Sequence, residues 1–211
     1  MNAPVHGASD PSEPAAVVDA VSLPSYAFGH RSLMWWGTMG MIAIEGMAFA
    51  LAVAGYFYIW SQASTWPLAA LPPDLLFGTL NVFILLASTI PNELTKKAAE
   101  RHDLEAVRIG LAVCLVFGLA FLIVRMFEFQ SLNCAWDTSA YGSIVWLLLG
   151  LHTVHLLTDF YDSAVLTVLM FTGPLEGKRY VDVSENAMYW YFVVIAWLPL
   201  YAVIYWMPRS G

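Results

Sequence analysis

The sequence predicts an all-α integral membrane protein, a bundle of five transmembrane helices. Three observations predict it. Hydrophobic residues fill 59% of the 211 positions and charged residues only 12%, against about 25% charged in soluble domains, and mean hydropathy is +0.64. Five stretches are long enough to span a hydrocarbon core of roughly 30 Å, which takes about 20 apolar residues in a helix. Period-two alternation is absent, so a β-barrel is excluded, and lipid offers the backbone no hydrogen-bond partner, so each span must be helical.

Residues 1–30 come before the first span. They hold Pro, Ser, Ala and Asp, with no basic start and no apolar core of signal-peptide length. They read as a cytoplasmic tail, mobile or docked on a partner, and not as a cleaved leader. Residues 31–211 then form one five-helix membrane domain, with no internal repeat and no separate soluble unit.

The first span, about 33–60, contains GMIAIEGMAFALAVAGYFYIW, apolar from end to end except for Glu45. The second, about 75–93, opens LLFGTLNVFILLASTI and continues as helix toward Glu93. The third covers about 106–129, the fourth about 141–171 and the fifth about 187–207. Charge between them sets orientation. Arg31 precedes the first span, Lys96, Lys97, Arg101 and Arg108 follow the second, and Lys178 and Arg179 follow the fourth, whereas the other side has only Arg209. The positive-inside rule therefore puts the N-terminus in the cytoplasm and the C-terminus outside. The net charge of -7 adds little, because acids weigh weakly in that rule. No basic patch points to nucleic acid.

Two cysteines, Cys114 in the third span and Cys134 in an outer loop, make neither a disulfide framework nor a CxxC metal site. Trp35, Trp36, Trp60, Trp66, Trp136, Tyr189, Trp190, Tyr205 and Trp206 fall near the expected interfaces, where amphipathic rings favour the headgroup zone. They read as membrane anchors.

Chemistry has to come from ionisable groups inside the spans, since each costs about 2.5–3.5 kcal/mol at the bilayer centre and faces the bundle interior. Arg125 and Glu128, three apart in the third span, can pair on one helix face and so lower their own insertion cost. In the fourth span, His152, His155, Asp159 and Asp162 recur at i, i+3, i+7 and i+10, one polar stripe. Interhelical hydrogen bonding, a proton relay, and metal or haem ligation compete as readings of it. Ligand count weighs against the last, because two histidines and an acid on one helix do not close a metal site and no other span offers a histidine. Beside Glu45, the residues Gly46, Ala50 and Ala54 form a small-xxx-small seam for close helix contact, which turns the acid toward a helix interface and away from lipid.

Five segments, in order, carry a resemblance. GMIAIEGMAFALAVAGYFYIW resembles the glycine, apolar run, acid and aromatic exit of subunit III of the haem-copper oxidases, the cytochrome c oxidase subunit III family, in its short five-helix bacterial form. LNVFILLAST (80–89) is similar to that family's LNT-x-LLASS, and RMFEF (125–129) to its Q-x-x-E-Y, with Arg125 in place of glutamine. SAYGSIVWLLLGLHTVHLL (139–157) resembles its YGS followed by G-F-H-G-x-H, which sets His152 and His155 on the two family histidines. YWYFVVIAWLPLYAVIYW (189–206) resembles its YWHFVDVVWLFLY-x-x-YWW ending. The sequence departs from the pattern at Tyr191 for histidine, at Val194 for aspartate, at the second helix end PNELTKKAAERHD, and at the acids Asp159 and Asp162.

The resemblance implies a non-catalytic, multi-pass subunit of a proton-pumping terminal oxidase in the bacterial cytoplasmic membrane. Such a subunit packs on subunit I and other oxidase subunits, binds phospholipid, and supports proton uptake and sustained turnover during oxygen reduction. It implies no redox cofactor in this chain, with haem and copper in partner subunits. It also sets Glu45 on the family's buried, carbodiimide-reactive glutamate near the lipid cleft. Asp159 and Asp162 could gather protons on the cytoplasmic side. The alternatives are an accessory membrane subunit of a nitric oxide reductase system, which shares the fold, a proton-coupled carrier, and a diiron or haem membrane enzyme. The carrier lacks the repeat symmetry and broken helices that transporters often show.

Overall fold

A computed structural model describes residues 24, 26–68, 71–174 and 176–210. The tail expected over residues 1–30 lies outside the described residues at 1–23 and at 25. Five long helices follow one another: α1 Leu33–Gln62, α2 Leu75–Glu100, α3 Leu104–Gln130, α4 Ala140–Thr172 and α5 Gly177–Tyr201. A π-helical turn, Ala202–Trp206, carries α5 into the short α6, Met207–Ser210. All five long helices have the length and apolarity to cross a membrane, and no strand occurs among the described residues.

Four of the helices start on a side chain that satisfies an orphan backbone N–H. Ser32 accepts from Met34, Asp74 from Leu76, Asp103 from Ala106 and Ser139 from Gly142, a type of contact worth about 1 kcal/mol each. Between α2 and α3 the chain turns through Arg101, His102 and Asp103, with His102 at φ 56°. The His102 ring meets Phe28 and Tyr180, which closes that end of the bundle.

Helices α2 and α5 outrun the spans read from the sequence. Those spans stop where charges begin, but a helix leaving the bilayer needs only its own backbone bonds. The extra turns of α5 are amphipathic, burying Tyr180, Val181 and Val183. α2 lies chiefly against α3 and α5, while α4 contacts α3, α5 and α1. Close approach of α2 to α3 needs Gly110, because a Cβ there would sit 2.1 Å from Thr95 Oγ1.

α1 is the outermost helix and packs on α4 and α5. Its packing stripe is Ile42, Phe49, Val53, Tyr56 and Ile59, at helical spacing. The small-residue seam expected at Gly46, Ala50 and Ala54 is not that stripe. Gly46 faces Phe192 at ordinary contact distance, but Ala50 and Ala54 are exposed. The reason is that Phe192 of α5 and His155 and Ile144 of α4 face α1, so the interface is filled by side chains and not by backbone approach. Three of the expected anchors also lie inside the bundle. Tyr189, Trp190 and Tyr205 are buried, and each hydrogen-bonds to a side chain of another helix. An aromatic with a polar tip serves an internal polar group as well as a headgroup, whereas Trp36, Trp60, Trp136 and Trp206 are exposed.

Candidate functional site

Two polar clusters stand in the apolar bundle. The first is fully enclosed. Arg125 Nη1 on α3 lies 3.2 Å from Glu128 Oε2 one turn on, with both side chains at most 1% exposed. The pair is coulombic rather than a directed hydrogen bond, since Nη1 has no bond of good geometry. Neighbouring helices complete it. Asn81 on α2 donates to Glu128 Oε2 at 2.5 Å, and Tyr205 from the π turn donates to Oε1. The guanidinium carbon sits 4.0 Å from the Trp197 ring centroid and 4.7 Å from that of Phe121. Taking such an ion pair out of water is costly, and donors and ring faces at this density offset the cost.

His152 on α4 belongs to this cluster. Arg125 Nη2 meets its Nδ1 at 3.2 Å, and its Nε2 meets the Val193 carbonyl at 3.0 Å. A guanidinium only donates and a carbonyl only accepts. His152 is therefore the neutral tautomer, with the proton on Nε2. It is wholly buried and acts as a brace between α3 and α5.

The second cluster is at the edge of α1. Tyr189 on α5 donates to Glu45 Oε2 at 2.8 Å. His155 Nε2 on α4 stands 3.8 Å from Glu45 Oε1, with the two side chains 12% and 25% exposed. His155 Nδ1 donates to the Leu151 carbonyl at 2.7 Å, which leaves its Nε2 facing Glu45. At 3.8 Å the two groups are within ion-pair distance but beyond a direct hydrogen bond. Phe49 separates the clusters, its ring centroid 4.8 Å from that of His155 and 6.3 Å from that of His152.

Below Glu45 a cavity of about 460 Å³ opens between α1, α4 and α5, toward the end of the bundle where α1 and α5 begin. Its carboxylates are Glu45, Asp159, Asp162, Asp182 and Glu185. The stripe read along α4 is thus divided. His152 turns into the core, His155 to Glu45, and the two aspartates to the cavity. Asp182 and Glu185 fell outside the fifth span as read from the sequence. Asn81 carries no charge that marks it in the sequence, and Tyr189 and Tyr205 read there as membrane anchors, because an uncharged polar tip gives no sign of the partner it meets. At Tyr191, a departure from the family pattern, the hydroxyl donates to Glu93 Oε2 at 2.7 Å, and Glu93 pairs with Lys97 at 3.1 Å.

Five membrane-length helices joined by buried polar contacts define a multi-pass membrane protein. A family model described as cytochrome c oxidase subunit III matches residues 35–209. The chain belongs to the cytochrome c oxidase subunit III family, and so is a subunit of a haem-copper oxidase complex that contains subunit I. It is 28% identical over 195 residues to a probable cytochrome c oxidase subunit 3 of Mycobacterium tuberculosis, covering 89% of this chain and 95% of that one. It is 24% identical over 181 residues to the cytochrome c oxidase subunit 3 of Synechocystis, covering 84% and 77%. A haem-copper oxidase subunit I+III of Aeropyrum pernix is 28% identical over 187 residues, 82% of this chain and 22% of that one.

Proposed function

We propose that this chain is a non-catalytic subunit III that packs on subunit I of a proton-pumping oxidase in a bacterial cytoplasmic membrane and supports proton uptake and stable turnover. The N-terminus faces the cytoplasm in this reading. The observation that carries it is Glu45, held by Tyr189 and close to His155 at the inner end of the acid-lined cavity. An acid beside an imidazole on an open cavity can order water or pass a proton, and neighbouring carboxylates raise the local proton concentration. Phospholipid would lie along exposed apolar residues of α1 such as Ile44, Met47 and Leu51. Haem and copper belong to the partner subunits, and electron transfer takes place there.

Affinity isolation through this chain, followed by mass spectrometry and haem spectroscopy, tests the reading. A haem-copper subunit I with its spectrum should copurify from membranes grown aerobically. Isolation with a nitric oxide reductase instead, or with no haem protein, would overturn it.

A further inference from the structure

The cavity beside Glu45 has a chemistry that proton handling does not use up. Of its described lining residues five are carboxylates and none is lysine, arginine or histidine. Four basic groups stand near it without lining it: Arg179, whose Nη1 is 3.9 Å from Asp182, Lys178 and Lys96, close enough to act on Asp182 and Glu185, and His155, facing Glu45. Asp159 is 1% exposed, lines the cavity, and its Oδ2 has no hydrogen-bond partner among the described residues. Glu185, also buried, leaves its Oε2 in the same condition. Buried acceptors without donors are costly, by about 1–3 kcal/mol each and more when charged, so two of them on one cavity ask for a donor from outside the chain.

Size and shape restrict that donor. About 460 Å³ is far more than a bare ion fills and lies within the range of small-molecule pockets, about 300–1,000 Å³. The acids are spread along the cavity, and among the described residues no three or more His, Cys, Asp or Glu side chains converge as metal ligands do. Between them the wall is apolar, made by Met34, Met41, Val165 and Leu166, with methionines that adapt to an alkyl chain. Separated carboxylates with methylene-sized apolar stretches between them match ammonium groups on an alkyl stem. A phospholipid headgroup fits less well, because its phosphate would meet the same carboxylates. The opening near the starts of α1 and α5 gives access from the end of the bundle.

We propose that this cavity is a binding site for a small alkylammonium cation of the aliphatic polyamine class, with Asp159 and Glu185 as its deep acceptors and Asp162 at the rim. The ammonium hydrogens are the donors that the orphaned oxygens lack, and the methylenes lie on Met34, Met41 and Leu166. This goes beyond the role in proton supply and does not depend on it.

The test is equilibrium dialysis of radiolabelled spermidine against the detergent-solubilised complex carrying the full chain, at an ionic strength of about 0.15 M, where surface attraction is screened beyond roughly 8 Å. Saturable binding at one site per chain is expected, weakened about tenfold or more by Asp159→Asn, as loss of one contact worth about 1.4 kcal/mol produces. Asp162→Asn, at an exposed position that folding tolerates, should weaken binding in the same sense and serves if Asp159→Asn fails to assemble. No saturable binding to the wild-type complex, or binding that neither substitution alters, overturns the proposal. So does carbodiimide cross-linking of the cavity acids to a lysine of a partner subunit in a complex that takes up no spermidine.

Discussion

Tyr189 on α5 donates its hydroxyl hydrogen to Glu45 on α1 across 2.8 Å, joining two helices 144 residues apart in sequence at the one carboxylate of the outermost span. The contact makes Glu45 part of the bundle's internal order. Tyr189→Phe and Glu45→Leu should each lower the thermal stability of the detergent-solubilised chain, by about 1–2 kcal/mol for the loss of one interhelical hydrogen bond. The double variant should lose little more than the larger single loss. Fully additive losses in this double-mutant cycle would mean that the two groups do not interact.

A larger penalty is expected in the enclosed cluster. Glu128→Leu leaves Arg125 buried among Phe121, Trp197 and His152 without its carboxylate, and such uncompensated charges cost about 3–5 kcal/mol. Adding Arg125→Met should recover part of that loss. Recovery stays partial because Asn81 and Tyr205 then lack their acceptor and His152 its donor. Chemical unfolding of both variants in detergent measures the difference.

Tyr205 reaches Glu128 past Gly78, where a Cβ would stand 2.6 Å from the tyrosine ring. Gly78→Ala should therefore displace a buried aromatic and destabilise the chain by about 1–3 kcal/mol, the usual cost of overpacking. Unfolding midpoints equal to wild type would show that the ring has room to move.

If Asp159 and Asp162 collect protons, replacing both with Asn should slow oxygen consumption by the complex most at high pH, where free protons are scarce, and least at low pH. The sign follows from supply: the acids matter when bulk proton concentration limits uptake. A uniform reduction across pH would leave them only a packing or ligand-binding role. Cys134 supplies a second pH-dependent readout, in the loop between α3 and α4. Burial pushes its thiol up from the ordinary cysteine value, so the reactive thiolate is scarce near neutrality. Labelling by an impermeant maleimide should be slow near neutral pH, quicken as pH rises, and occur from the outer face of intact cells if the C-terminus is outside.

The bundle was legible in the sequence because lipid leaves the backbone one solution and the apolar runs mark its length. The ends of α2 and α5 were not, since nothing in hydropathy distinguishes a helix that continues in water from one that stops. Within the site, Arg125, Glu128 and His152 could be singled out as ionisable groups in apolar surroundings, but not their assembly with Asn81 and Tyr205, which depends on how four helices meet. Spacing suggested a single stripe on α4. Three-dimensional packing sends His152 inward, between Arg125 and the Val193 carbonyl, and leaves His155 at Glu45 on the other side of Phe49.

The most direct test of the proposed role is sustained oxygen consumption by the purified complex carrying Glu45→Gln. Unlike leucine, glutamine keeps the size of the side chain and an acceptor for Tyr189 while removing the exchangeable carboxyl proton. The account predicts wild-type assembly and haem and copper content, together with a lower rate or a shorter active lifetime over many turnovers. A variant that assembles normally and matches wild type in both rate and lifetime would contradict it.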